Sequence, residues 1–253
     1  MNWMKKVAVA LVCLLPLGLQ AAKIDTLQVK SPSMNKSIEV VVVSPDVAAT
    51  KACPVIYLLH GYGGNACTWV GIKPDLPKIA DEKGIFFVCP DGKNTWYWDS
   101  PLNADVRYET FISNELVKYV DSHYKTVADR KGRAITGLSM GGHGAMWNGL
   151  RHSDVFSAAG STSGGVDIRP FPKNWEMSVQ IGEKAKYPEN WEKYTVINLV
   201  PTLRKDQIAL IFDCGDSDFF LEVNKNYHEA LLKQGIDHDS VSYTHLTLPT
   251  NRE

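Results

Sequence analysis

Gly137-Leu138-Ser139-Met140-Gly141 sets a serine between two glycines, each two residues away. The apolar run Ala134-Ile135-Thr136 precedes it, and Gly142-His143-Gly144-Ala145-Met146-Trp147 follows. That order predicts a strand, a sharp turn and a helix. A G-x-S-x-G sequence in that setting is a nucleophile elbow: the turn lifts the serine hydroxyl clear of the sheet. The glycines leave room for the neighbouring strand and helix. The competing reading is a glycine-rich turn whose serine caps a helix. A serine that attacks a carbonyl needs three further things. These are a general base, a carboxylate that orients the base, and hydrogen-bond donors for the oxyanion.

Candidates for each lie elsewhere in the chain. Pro54-Val55-Ile56-Tyr57-Leu58-Leu59 is apolar nearly throughout and runs into His60-Gly61-Tyr62-Gly63-Gly64. A glycine-rich loop at the end of a buried strand lets backbone N–H groups approach a ligand. The N–H groups of Tyr62 and Met140 are the expected oxyanion donors. The loop lacks the Gly-Lys-Ser/Thr ending of a phosphate-binding loop. His60 is expected to pin this loop rather than to act as a base. In this arrangement the chain order is Ser, Asp, His. Ile208 to Gly215 reads as a late buried strand that delivers Asp216 and Asp218, both candidates for the acid. His228, His238 and His245 follow. His228 falls within a helix, His238 precedes the last strand (240–244) and His245 comes just after it. A base just beyond the last strand points to His245, with His238 as the alternative. The loop from Asn94 to Pro101 carries Trp96, Tyr97 and Trp98, which are expected to line a substrate cleft at the C-terminal edge of a parallel sheet.

The elements that must position these residues are legible from periodicity. Ile24 to Val29 and Ser37 to Val43 read as an antiparallel edge. Buried strands follow at 54–59, 85–89, 134–136, 157–161 and 208–215, separated by helical segments at 69–81, 108–124, 142–151 and 222–234. In the second helix Phe111, Ile112, Leu116, Val117 and Val120 form the apolar stripe, with Glu109 and Glu115 on the polar side. His143 and His152 are expected to serve packing or a helix surface. Gly235 ends the last helix. Alternating strands and helices predict an α/β fold: a mostly parallel central sheet with helices on both faces, in three layers. Residues 162–200, rich in Pro, Trp, Lys and Asn, are expected to form a small cap over the site.

Composition bounds the rest. The 253 residues, 44% apolar and 22% charged, suit one domain over 23–253. A net charge of −1 with no Lys/Arg cluster gives no support to a nucleic-acid role. Lys5-Lys6, the apolar stretch Val7 to Leu19 and the small residues Ala21-Ala22 read as a signal peptide over 1–22. The stretch is short for a membrane span. A periplasmic or secreted protein without a stable membrane anchor is therefore expected. Cys53, Cys67, Cys89 and Cys214 lack zinc-site or C-x-x-C spacing. Free thiols are the default for them, and disulfides are open. No metal and no cofactor are expected, and the oligomeric state is open.

Together, Pro54 to Gly61, Asp91-Gly92 with Trp96-Tyr97, Gly137 to Ala145, and Asp213-Cys214-Gly215 with Asp218-Phe219 resemble an esterase family of the α/β-hydrolase superfamily. That family groups esterase D (S-formylglutathione hydrolase), feruloyl esterases, tributyrin esterases and mycolyl transferases. The resemblance runs from about Val29 to Asp239. It implies the α/β-hydrolase fold, Ser139 as nucleophile and Asp218 rather than Asp216 as the acid. It also implies a serine carboxylesterase acting on small-molecule or polysaccharide-linked esters. Export and the aromatic loop favour feruloyl or acetyl esters of plant polysaccharides. The alternatives are an S-formylglutathione hydrolase-like thioesterase or acyltransferase, and an inactive carbohydrate-binding protein on the same scaffold. Residues 240–253 depart from the family pattern, which has Pro-Gly-x-His and a tryptophan-bearing final helix. That stretch reads as a truncated or foreign tail, and activity then depends on His245.

Overall fold

A computed structural model describes residues 22–243. Residues 1–21 and 244–253 lie outside it, and with them the signal-peptide reading and His245. Eight strands form one sheet in the order β1-β2-β4-β3-β5-β6-β7-β8. β1 (Lys23–Ser31) and β2 (Lys36–Ser44) make the antiparallel edge, and β2 also pairs antiparallel with β4 (Phe86–Pro90). β3 (Val55–Leu59), β4, β5 (Arg133–Gly137), β6 (Ala158–Thr162), β7 (Ala209–Gly215) and β8 (Asp239–Tyr243) run parallel to one another. Parallel pairing needs crossovers. Here they are helices covering both faces, as the alternating pattern predicted.

On one face, Val41, Val43, Leu58, Phe87 and Cys89 pack with Leu76 and Ala80 of α2 (Leu76–Lys83). α1 (Thr68–Ile72) precedes α2. The single helix expected over 69–81 is therefore broken, because Lys73-Pro74 interrupts it and Pro cannot donate within a helix. The opposite face carries the larger core. There Tyr57, Leu59, Ile135 and Phe212 meet side chains from α3 (Tyr108–Thr110), α4 (Val117–His123), α5 (Met140–Arg151) and α8 (Leu221–Gln234). A π-helical turn, Phe111–Leu116, joins α3 to α4. Between β6 and β7 lie only short pieces: α6 (Met177–Ile181), α7 (Pro188–Lys193) and a 3-10 stretch, Val196–Thr202. The cysteines Cys53, Cys67, Cys89 and Cys214 are free thiols, and all but Cys67 are buried.

Glu109 departs from the expected polar face. It is buried, and its carboxylate accepts from Trp147 Nε1 (2.8 Å), Arg151 Nε (2.7 Å) and His152 Nε2 (2.9 Å). Three donors at the far end of α5 thus draw a carboxylate into the interface between α3 and α5. Burial alone would raise this carboxyl. The bonds from His152, Arg151 and Trp147 outweigh it and hold the group below its ordinary value of 4.5. A depressed folded-state value means that the stabilisation is complete above that ordinary value and fades as pH falls through the folded-state value. Glu109→Gln is therefore expected to cost about 1–3 kcal/mol near neutrality. The gap from the parent should close in acid. Urea unfolding across pH checks it, and a gap that stays constant to low pH would contradict the assignment.

Candidate active site

β5 ends at Gly137 and α5 begins at Met140, so Ser139 occupies the turn between them. Its backbone sits at φ 57°, ψ −115°. That conformation costs a non-glycine residue on the order of 1–3 kcal/mol and persists only where the surroundings enforce it. The enforcement is visible. Ser139 N–H donates to Thr162 O of β6 (2.9 Å), and Leu138 N–H donates to Leu59 O of β3 (3.2 Å). The turn is thereby tied to the strands on both sides. The flanking glycines answer to close approach. A methyl group on Gly141 would stand 2.1 Å from Leu59 O, and one on Gly137 would stand 2.3 Å from Gly141 O. The capping alternative loses its support, because Ser139 makes no side-chain cap bond to α5.

The glycine-rich loop after β3 lies against this turn. A methyl on Gly61 would reach 3.6 Å from Ser139 Cβ and 3.3 Å from Leu138 O. Met140 opens α5, so its N–H has no acceptor within the helix. The Tyr62 N–H makes no hydrogen bond among the described residues. The two N–H groups expected as oxyanion donors thus lack protein acceptors among the described residues, and Ser139 between these loops is half-buried. His60 fixes the loop as expected: buried, it donates from Nδ1 to Gly61 O (2.7 Å) and accepts at Nε2 from Gly92 N–H (2.9 Å). Asp91 sits beside it. Burial would raise the Asp91 carboxyl, but the Lys93 backbone N–H and ammonium hold it well below the usual carboxylate range.

Trp96, Tyr97 and Trp98 stand elsewhere than expected. All three are buried, at 1%, 0% and 0% exposure, and so do not line an open cleft. They brace the site from behind. Tyr97 donates its hydroxyl to His60 O (3.1 Å), and Trp98 Nε1 donates to His143 Nε2 (2.8 Å). Trp96 Nε1 donates to Trp175 O (3.2 Å). Aromatic density in a loop at the sheet edge does not say which way the rings turn, and here they turn into the core. His143 also donates from Nδ1 to Gly165 O (2.8 Å), and burial lowers it to about 4. It is therefore a neutral packing residue.

β7 delivers both candidate acids, and their surroundings differ. Asp216 is exposed, whereas Asp218 is half-buried and its Oδ1 accepts from Phe220 N–H (2.7 Å). A carboxylate with one oxygen fixed by the backbone presents the other in a set direction, as an orienting group requires. His238 is not brought to this end. It precedes β8, whose first residue Asp239 pairs with Ile211. Ser139 lies beyond the C-terminal end of β5, whereas His238 lies before the N-terminal end of the parallel β8. His238 is also committed elsewhere. It bonds Ile236 O (2.8 Å) and His228 Nδ1 (2.7 Å) and stacks on Phe212. β8 runs towards the Ser139 edge, where Tyr243 O accepts from Asp216 N–H (2.8 Å). His245 comes two residues later, outside the described residues.

Trp175 and Glu176, within the stretch expected to cap the site, and Phe219, beside Asp218, are not singled out individually by the sequence. Glu176 accepts from Asn94 Nδ2 (3.3 Å), and Gly63 N–H donates to Asn94 Oδ1 (2.9 Å). The Tyr62 phenol is raised by burial and by the nearby Glu176 carboxylate. Trp175 packs on Phe219 (5.1 Å between centroids) and Phe220 (5.2 Å). Among the described residues no cluster of His, Cys, Asp or Glu has the geometry of a metal site, and no helix is long and apolar enough to cross a membrane.

Comparison with known proteins agrees with this fold. The Esterase family profile, described as "Putative esterase", matches residues 31–244. An acetyl esterase from Caldicellulosiruptor saccharolyticus is 26% identical over 200 residues, 72% of each chain. Esterase Rv1288 of Mycobacterium tuberculosis is 28% identical over 243 residues, covering 84% of this chain and 52% of that one, about half its length. Among solved structures, a ferulic acid esterase superposes with a TM-score of 0.74 at 28% identity, covering 89% of this chain and 91% of that one. An S-formylglutathione hydrolase from Agrobacterium tumefaciens superposes with a TM-score of 0.73 at 22% identity, over 89% and 87%, a likeness of fold.

Proposed function

Because the chain belongs to the Esterase family, we propose that it is a secreted serine carboxylesterase working through an acyl-enzyme on Ser139. The observation that carries this reading is the strained turn at Ser139, opening α5 and packed against Gly61 of the loop after β3. In the proposed reaction Ser139 Oγ attacks the ester carbonyl, and His245 accepts the hydroxyl proton. The two N–H groups bind the oxygen that becomes negative. Collapse of the tetrahedral intermediate expels the alcohol, which takes the proton from His245. Water then gives a proton to His245, attacks the acyl carbon and releases the acid, and the proton returns to Ser139. Asp218 orients His245 throughout. The direction of β8 supports this choice of base, since it leads the chain to the edge where Asp218 stands.

Feruloyl or acetyl esters on plant polysaccharides are the proposed substrates. The similarity to an acetyl esterase and to a ferulic acid esterase supports them. The Lys5-Lys6 and Val7 to Leu19 pattern supports export. The test is covalent labelling by a fluorophosphonate, read by intact mass and peptide mapping, beside hydrolysis of p-nitrophenyl acetate. One adduct, on the peptide holding Ser139, is the expected result. Folded protein that neither labels nor hydrolyses the ester would defeat the reading.

A further inference from the structure

Sheet order places Ser139, at the end of β5, between the loop after β3 on one side and the loops after β6 and β7 on the other. The turn at Trp175-Glu176 touches both flanks. On the β3 side Glu176 joins Asn94, which holds Gly63. On the β7 side Trp175 packs on Phe219 and Phe220, the residues that follow Asp218. From below, Trp96 bonds Trp175 O.

The turn is strained as well as central. Met177 N–H donates to Asn174 O (3.3 Å), closing a four-residue turn whose middle residues, Trp175 and Glu176, have φ 46° and 53°. Two successive left-handed positions belong to glycine or asparagine by local preference. A tryptophan and a glutamate there mean that something other than turn chemistry selects the side chains. What they present is chemically specific. Phe219 is 59% exposed beside half-buried Trp175, and the Glu176 carboxylate and Asn94 amide form a polar rim. Flat aromatic surface with hydrogen-bonding groups at its edge suits a six-membered ring that has an apolar face and peripheral hydroxyls.

We propose that the Trp175-Glu176 turn is a strap across the nucleophile, and that Trp175 and Phe219 are specificity-determining residues seating such a ring in one half of the ester. The proposal rests on Ser139 being the nucleophile. A phenolic ring and a pyranose share this chemistry, so the test uses both. Methyl 4-hydroxycinnamate and methyl β-xyloside are titrated by calorimetry into a Ser139→Ala parent, which cannot turn over the ester, and into the same parent carrying Trp175→Ala or Phe219→Ala. The parent is expected to bind at least one of them, and the one bound identifies the source of the ring. An increase in Kd of about tenfold or more, the scale of one lost stacking contact, is expected in either variant and supports the strap. Smaller changes in both variants, or no binding of either ring by the parent, overturn it. Phe219→Ala keeps the test decisive if Trp175→Ala misfolds, since the Phe219 ring is largely exposed. Fluorophosphonate labelling of the unmodified protein separates the two ideas. Labelling without ring binding removes the strap alone, and absent labelling removes the nucleophile.

Discussion

Alanine at position 139 is expected to lower kcat for p-nitrophenyl acetate on the order of 10⁶-fold, the scale seen when a triad serine is removed. It is also expected to abolish fluorophosphonate labelling. The reason is geometric. Ser139 is held at φ 57°, ψ −115° by backbone bonds to β3 and β6, so no neighbouring residue moves into its place when the hydroxyl is lost. The Tyr62 and Met140 N–H groups, the proposed oxyanion donors, survive the substitution, and the polarisation proposed for them survives as well. A residual rate on the order of 10³ to 10⁴ above water is therefore expected rather than none. Purified Ser139→Ala protein, active-site titrated to exclude contaminating esterase, is the measurement. A variant that keeps more than a small fraction of the parent rate would place the nucleophile elsewhere.

The second large effect separates two neighbouring carboxylates. Asp218→Asn is expected to reduce kcat/KM by about 10⁴-fold, because an amide in the orienting position favours the wrong imidazole tautomer. Asp216→Asn is expected to remain within a few-fold of the parent, since that side chain is exposed and its residue meets β8 through the backbone N–H. The contrast lies in the fixed oxygen: Phe220 N–H holds Asp218 Oδ1, and nothing comparable constrains Asp216 among the described residues. Equal losses in both variants, measured as kcat/KM on folded protein, would reject Asp218 as the orienting acid.

What the sequence disclosed follows the range of the interactions involved. Ser139 and the loop at 60–64 could be read because each is a local event: an apolar strand ending in small residues. The parallel order of the sheet followed from strands alternating with helices. Glu109 could not be placed, since the donors that bury it come from Trp147, Arg151 and His152 on another helix. Trp96, Tyr97 and Trp98 misled for the same reason, their partners being His60, His143 and Trp175. His238 could have been set aside earlier. A residue that precedes a parallel strand lies at its N-terminal end, away from a site at the C-terminal edge. The Trp175-Glu176 turn left no local mark, because its backbone conformation contradicts the usual preference of its own residues.

The ties from Ser139 to Thr162 O and from Leu138 to Leu59 O also bear on what different probes of this molecule see. An ensemble that keeps its secondary structure but has lost the close fit of the elbow against β3 and β6 has nearly the same helix and strand content as the native state. It has no reason to hold the serine in a high-energy dihedral well. Circular dichroism is blind to that difference, whereas acylation of Ser139 is sensitive to it. Reactivity at this one hydroxyl is thus a gauge of tertiary closure between strands distant in the chain.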